Sequence, residues 1–96
     1  MDDIAEGYVP TFTYRRDAGR ICISGEIDMR AVEVIRPVAL AGIDPIELDL
    51  SDVTFMDSSG IKLLVLVKQR RGVTVVATSA AVDRLLELTG LTDEFT

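Results

Sequence analysis

Histidine and tryptophan are absent from this sequence, and cysteine occurs once, at Cys22. Without histidine, neither a Ser–His–Asp triad nor a histidine-ligated metal site can form. A single cysteine excludes an internal disulfide and a cysteine-rich zinc cluster. Its alternation with Ile21 and Ile23 predicts a packing residue of a strand. We therefore expect neither an enzyme nor a protein that holds a metal or a cofactor.

Basic residues are also scarce, with ten Lys and Arg against sixteen Asp and Glu and a formal net charge of −6 at pH 7. This balance argues against nucleic-acid binding and against docking on an anionic membrane, since both need a basic face. The longest apolar run, residues 63–67, is far shorter than the roughly 20 residues of a membrane span. The N-terminus is acidic where a signal peptide is basic, so we expect a cytoplasmic protein.

Apolar residues make up 48% of the 96 residues, which is enough for one packed core. Hydrophobic periodicity predicts elements in the order β-β-α-β-α-β-α. The expected ranges are 11–16, 21–24, 29–41, 46–50, 58–71, 73–78 and 80–89, with a short loop over residues 51–54. Residues 1–10 are expected to form a loose tail, and residues 11–96 a single domain.

Several single residues refine this outline. Gly19 can supply a positive φ in the turn of an opening hairpin, Asp28 can cap the first helix, and Gly90 can close the last one. Pro37 inside the first helix predicts a kink or a break. Strands that are separated by helices pair in parallel, so the fold class is α/β, with a mixed sheet and helices packed on it.

The most informative stretch is Asp57-Ser58-Ser59-Gly60, between a buried strand and an apolar helix. Asp57 can cap that helix, which places both serines in the first turn, where negative charge is favoured. Capping alone accounts for these residue types. A second interpretation is phosphorylation of one serine, which adds a charge of about −1.5 to −2 beside Asp57 and repels a closely apposed partner. Gly60, lacking a side chain, would let that partner approach.

A serine nucleophile is a third interpretation, but the sequence offers no base to activate it. Lys62 follows the serines, yet nothing in the sequence places it against a serine or lowers its pKa. The glycine spacing matches neither phosphate-binding loop pattern. The later basic residues Lys68, Arg70 and Arg71 are interpreted as a solvated helix end that faces the negative end of the helix dipole.

Three segments resemble the STAS domain family, named for sulfate transporters and anti-sigma factor antagonists. Gly25-Glu26-Ile27-Asp28 is similar to the family's Gly-Glu-Leu/Ile-Asp before the first helix. Residues 49–60 are similar to its signature Asp-Leu-x-x-Val-x-Phe-Met/Ile-Asp-Ser-Ser/Thr-Gly. Residues 80–91 are similar to its third helix and closing turn. The resemblance implies a single STAS-type domain.

The resemblance also implies a function in a partner-switching pathway. In anti-sigma factor antagonists, the first serine of the signature is phosphorylated by a GHKL-type serine kinase that is itself the anti-sigma factor. The unphosphorylated antagonist binds this kinase, and a PP2C-type phosphatase resets the phosphorylated form. Carried over, Ser58 is the phosphoacceptor, with Ser59 as the less favoured choice. The implied partner-binding residues are Asp28, Asp57, Ser59, Gly60, Ile61 and Lys62, with Thr78 and Ser79 in a nearby loop.

Two other functions stay open. Small STAS proteins also bind the ATPase of ABC lipid transporters as accessory subunits, and a nucleotide-sensing role has been proposed for some family members. Lys62 stands where many antagonists have a small residue, so the resemblance leaves the identity of the partner open.

Overall fold

Eight elements of secondary structure follow one another along residues 11–95, the part of the chain that the computed structural model describes. They are β1 (Phe12–Asp17), β2 (Arg20–Ile27), α1 (Met29–Leu40), β3 (Ile46–Met56), α2 (Ser58–Arg71), β4 (Val73–Thr78), α3 (Ala80–Thr89) and α4 (Thr92–Phe95). The predicted order is confirmed, and α4 is an addition to it. The tail predicted over residues 1–10 lies outside the described residues.

The strands form one mixed sheet in the order β1-β2-β3-β4. β1 and β2 are antiparallel, whereas β2, β3 and β4 are parallel to one another. The predicted α/β class and mixed sheet are therefore confirmed. Because parallel strands point the same way, the ends of β2 and β3 lie at one edge of the sheet, and α1 and α2 begin there.

Alternate strand residues face the helices and form the core. Buried strand residues include Ile21, Ile23, Leu48, Leu50 and Val53, and buried helix residues include Ala31, Ile35, Leu64, Val67 and Leu86. On the other side of the sheet, Arg20 and Glu47 form an exposed ion pair at 2.9 Å, and the hydrogen bond within this pair raises the pKa of Arg20. Cys22, predicted to be a packing residue of a strand, lies in β2 and is half-buried on this polar side between its register partners Arg15 and Asp49.

The loop predicted over residues 51–54 is wrong, because β3 continues without interruption to Met56. β2 pairs with this continuation as far as Ile27, through two irregularities of register. The Asp49 carboxylate accepts hydrogen bonds from the Ser51 amide at 3.0 Å and the Ser51 hydroxyl at 2.6 Å. These bonds lower the pKa of Asp49. They also provide hydrogen-bond partners within the strand for two of its polar residues. The continuation carries the Asp-Ser-Ser-Gly turn to the edge of the sheet.

Two smaller predictions about backbone geometry are also corrected. The positive φ of the hairpin turn belongs to Ala18, at 55°, and not to Gly19. Pro37 lies within a continuous 12-residue helix, so the predicted alternative of two short turns is wrong, and the alternative of a kink stays a prediction. Pro37 and Glu33, whose carbonyl loses its helical donor, are both exposed, so water can replace the missing hydrogen bond.

α3 and α4 are the last elements of the described chain, and Lys68, which was predicted to be solvated, contacts α4. Gly90 adopts the predicted left-handed conformation, and the Leu91 amide donates to the Leu86 carbonyl at 2.9 Å in a Schellman closure. α4 buries Phe95. The Lys68 ammonium forms an ion pair with Glu94 at 3.0 Å and lies 5.5 Å from the centre of the Phe95 ring. The prediction of a solvated helix end is therefore wrong for Lys68.

Candidate functional site

Two aspartates lie side by side where β2 and β3 end. Ile27 and Met56 are register partners, and the Asp57 amide donates to the Ile27 carbonyl at 3.2 Å. The Asp28 carboxylate caps α1 by accepting from the amides of its first turn at 3.0 Å. The Asp57 carboxylate caps α2 by accepting from the Ser59 amide at 2.8 Å. The predicted caps are confirmed, and both negative charges are held in fixed positions.

Ser58 and Ser59 differ in exposure in the structure, a difference that their positions in the sequence did not reveal. Ser58 is the first residue of α2 and is exposed, and its hydroxyl makes no hydrogen bond within residues 11–95. Ser59 is half-buried. Its amide is the donor to Asp57, and its side chain faces the space between α1 and α2. Of the two hydroxyls, that of Ser58 is the more accessible to a modifying enzyme.

Gly60 and Ile61, two of the predicted partner-binding residues, face the interior. Both are buried. A Cβ atom at Gly60 would lie 2.5 Å from Cγ of Met56 and 3.2 Å from Cγ2 of Ile27. The absence of a side chain therefore lets α2 pack closely on the sheet, and the expectation that Gly60 serves the approach of a partner is corrected.

Lys62 is exposed and lines an open groove of about 460 Å³ between α1 and α2. Its walls combine apolar and charged side chains, those of Met29, Val32, Glu33, Arg36, Leu63 and Leu66, together with Ser59. Met29 and Ser59 belong to the first turns of the two helices, so the groove begins beside Ser58 and runs away from it.

Apolar side chains near Ser58 are exposed, and no sequence motif marks them as site residues. Met29, next to Asp28, is 68% exposed, and Phe55, two residues before Asp57, is 48% exposed. Phe55 and Leu88 line a second groove of about 420 Å³ between the end of β3 and α3. Strict alternation along β3 would not have found Phe55, because Val53 and Met56 are both buried although they lie three positions apart. This departure accompanies the irregular register between β2 and β3.

Thr78 is the last residue of β4, and Ser79 connects it to α3. Thr78 pairs with Leu50, and β3 continues six residues beyond that point, up to roughly 20 Å along the strand. Ser79 caps α3 through the Val82 amide at 3.3 Å, and the Thr78 hydroxyl donates to Asp83 at 2.5 Å. Ala80, the residue after Ser79, lines the groove that Phe55 and Met56 also line, and the place of Thr78 and Ser79 in a partner-binding face stays a prediction.

Within residues 11–95, no group of three or more His, Cys, Asp or Glu side chains is arranged to hold a metal ion. In the same part of the chain, no helix is both long and apolar enough to cross a membrane. What the site does offer is one accessible hydroxyl beside two fixed carboxylates and exposed apolar side chains. Such a surface suits binding that a change of charge can reverse.

A family model described as "Mlab, STAS domain" matches residues 11–95, which is nearly the whole chain. The chain belongs to the STAS domain family. The resemblance carried by the three sequence segments is thereby confirmed, and the four-stranded mixed sheet with its packed helices is the architecture of this STAS domain.

Curated relatives of this STAS domain include two staphylococcal proteins. The anti-sigma-B factor antagonist of Staphylococcus epidermidis is 29% identical over 86 residues, covering 80% of each chain. The anti-sigma-B factor antagonist of Staphylococcus aureus (strain NCTC 8325) is 32% identical over 80 residues, covering 74% of each chain.

Solved structures give a consistent result. An anti-sigma factor antagonist from Mycobacterium paratuberculosis superposes with a TM-score of 0.71 at 30% identity, covering 88% of this chain and 81% of its own. The antagonist SpoIIAA in its unphosphorylated form superposes with a TM-score of 0.67 over 88% of this chain and 85% of its own. At 23% identity, SpoIIAA supports the shared fold alone.

Proposed function

We propose that this STAS domain is an anti-sigma factor antagonist that binds its anti-sigma factor in the unphosphorylated form. The names of the related antagonists support this proposal. The surface around Ser58 supports it independently, because Met29, next to the Asp28 cap, and Phe55, two residues before the Asp57 cap, expose apolar area. Contiguous exposed apolar area with a polar rim is typical of protein-binding sites.

Phosphorylation of Ser58 is the proposed switch, and the observation that carries it is the free, exposed hydroxyl at the start of α2. Transfer of the γ-phosphoryl group of ATP to Ser58 Oγ releases ADP and the hydroxyl proton. The phosphate adds about −1.5 to −2 charge beside Asp57 and repels a closely apposed partner. The Asp57 cap on the Ser59 amide does not involve the Ser58 hydroxyl, so the fold need not change.

The proposed partners are those of a phosphorylation cycle. The anti-sigma factor is a GHKL-type serine kinase that binds and then phosphorylates the antagonist, and a PP2C-type phosphatase removes the phosphate. Because the phosphate lies on an exposed first turn, both enzymes can reach it without unfolding α2.

Incubation with the candidate kinase and ATP, followed by mass spectrometry, tests the site. We expect one phosphate, located on Ser58, that is lost in Ser58→Ala and retained in Ser59→Ala, because Ser59 is half-buried. A phosphate that persists in Ser58→Ala would refute the assignment.

Affinity purification from the native host tests the class of partner. Recovery of a GHKL-type kinase supports the proposal. Recovery of an ABC-type ATPase in its place would contradict it and favour the accessory-subunit function.

A further inference from the structure

Lys62 is the basic residue of α2 that lies nearest to Ser58 in sequence, four residues away on the same helix. Residues separated by four positions share a helix face, with Cβ atoms about 5–6 Å apart. Ser58 and Lys62 are both exposed, so their side chains meet solvent on that shared face. An acidic group placed four residues before a lysine is the favourable orientation for a helical ion pair.

Within residues 11–95, Lys62 and Arg70 have no ion-pair or hydrogen-bond partner, in contrast to the other two bases of α2. Lys68 pairs with Glu94 at 3.0 Å, and Arg71 donates to three backbone carbonyls. Within residues 11–95, Lys62 makes no ion pair or hydrogen bond. Its ammonium is therefore available to an anion that is placed within its reach.

Of the negatively charged groups near Lys62, a phosphate on Ser58 would be its strongest partner. Glu33 and Arg36 line the opposite wall of the groove on α1, and neither forms an ion pair with Lys62. The Asp28 and Asp57 carboxylates are engaged by backbone amides as helix caps. A phosphate on Ser58 carries more charge than any of these carboxylates and can accept several charge-assisted hydrogen bonds.

We propose that Lys62 is the intramolecular counter-ion of the phosphate on Ser58 and that it moves from the α1–α2 groove to the start of α2 on phosphorylation. This inference rests on the proposed function, since it assumes that Ser58 carries the phosphate. Phosphorylation then changes two things at once, because it adds a negative charge beside Asp57 and removes a positive one from the wall of the groove. Glu33 and Arg36 remain there.

The test uses the full chain with phosphoserine incorporated at position 58 during translation, so that no kinase is needed. The second pKa of the phosphate is followed by 31P NMR. The variants are Lys62→Met, the charge-conserving Lys62→Arg, and Arg70→Met, which removes one charge from the far end of α2.

We expect the phosphate pKa to be lower by about 0.3 with Lys62 present than in Lys62→Met, as for an ion pair between i and i+4. Lys62→Arg should keep the lower value, Arg70→Met should leave it unchanged, and 1 M salt should abolish the difference. Equal effects of Lys62→Met and Arg70→Met would overturn the proposal, since general charge would then explain both.

This result can be separated from the fate of the proposed function. If the kinase leaves Ser58 unmodified in the unsubstituted chain, the proposed function fails, whatever the incorporated phosphoserine shows. If the kinase modifies Ser58 but the incorporated phosphate does not respond to Lys62, only the counter-ion role fails. Because Lys62 is exposed, the unmodified Lys62→Met variant should unfold at the same temperature as the parent.

Discussion

Gly60 is buried where α2 packs against the ends of β2 and β3. Its place in the Asp-Ser-Ser-Gly turn suggested a surface role, but its nearest neighbours are the Met56 and Ile27 side chains. Gly19, by contrast, has no heavy atom within 4 Å of the position that a Cβ would take. The two glycines differ in packing, which sequence context alone does not reveal.

Gly60→Ala should destabilise the fold by about 1–3 kcal/mol, because the added methyl group overlaps Met56 and forces the helix or that side chain to shift. Urea denaturation measures the effect. Gly19→Ala is the matched control and should change the free energy of unfolding by less than about 0.5 kcal/mol, as expected for an open surface site. Equal stability of the two variants would show that Gly60 does not determine how closely α2 approaches the sheet.

The ends of α1 and α2 are joined by one side chain, that of Arg71. Its Nη1 donates to the Ala39 and Ala41 carbonyls at 3.2 and 2.7 Å, and its Nε donates to the Asp44 carbonyl at 2.5 Å. Carbonyls at the end of a helix have no helical donor, so Arg71 supplies what α1 lacks. The prediction that Arg71 belongs to a solvated helix end is therefore wrong, because its acceptors come from a part of the chain about 30 residues earlier.

Arg71→Met should cost about 2 kcal/mol of unfolding free energy, since it removes charge-assisted bonds to carbonyls that have no other donor. Chemical denaturation followed by circular dichroism measures this loss. Arg70→Met removes the same charge from an exposed neighbour and should cost less than about 0.5 kcal/mol. A loss shared by both variants would mean that net charge, and not the tie between α1 and α2, stabilises this region.

Across the whole molecule, the sequence predicted the bounds of those elements whose ends are marked by a nearby cap or glycine. α2, β4 and α3 have the predicted bounds, because a cap or a glycine marks their ends. The second half of β3 was missed since its strand pairing depends on β2, which is distant in sequence. α4 was missed for a similar reason, as it is held by Phe95 in the core and by Lys68.

The same division applies to the site. The family signature and helix-capping preferences identified Asp28, Asp57 and Ser58 from sequence. The burial of Gly60 and the pairing of Thr78 with Leu50 depend on how α2 and β4 pack and pair with the rest of the fold. The exposure of Met29 and Phe55 has the same origin. These are properties of tertiary contacts, which a pattern along the chain does not contain.

The distribution of charge along the sequence supports the proposed switch by one phosphate. Acidic residues dominate the chain up to Asp57, whereas residues 58–82 carry four bases and no acid. Ser58 lies at this boundary, so a phosphate there changes the local field much more than it changes the net charge of −6.

Calorimetric titration of the purified anti-sigma factor with the unmodified protein and with the Ser58-phosphorylated protein tests the central claim most directly. We predict that the unmodified protein and Ser58→Ala bind equally well. Phosphorylation should weaken binding about tenfold or more, which corresponds to about 1.4 kcal/mol. Equal affinity of the phosphorylated and unmodified proteins for the anti-sigma factor would contradict the account.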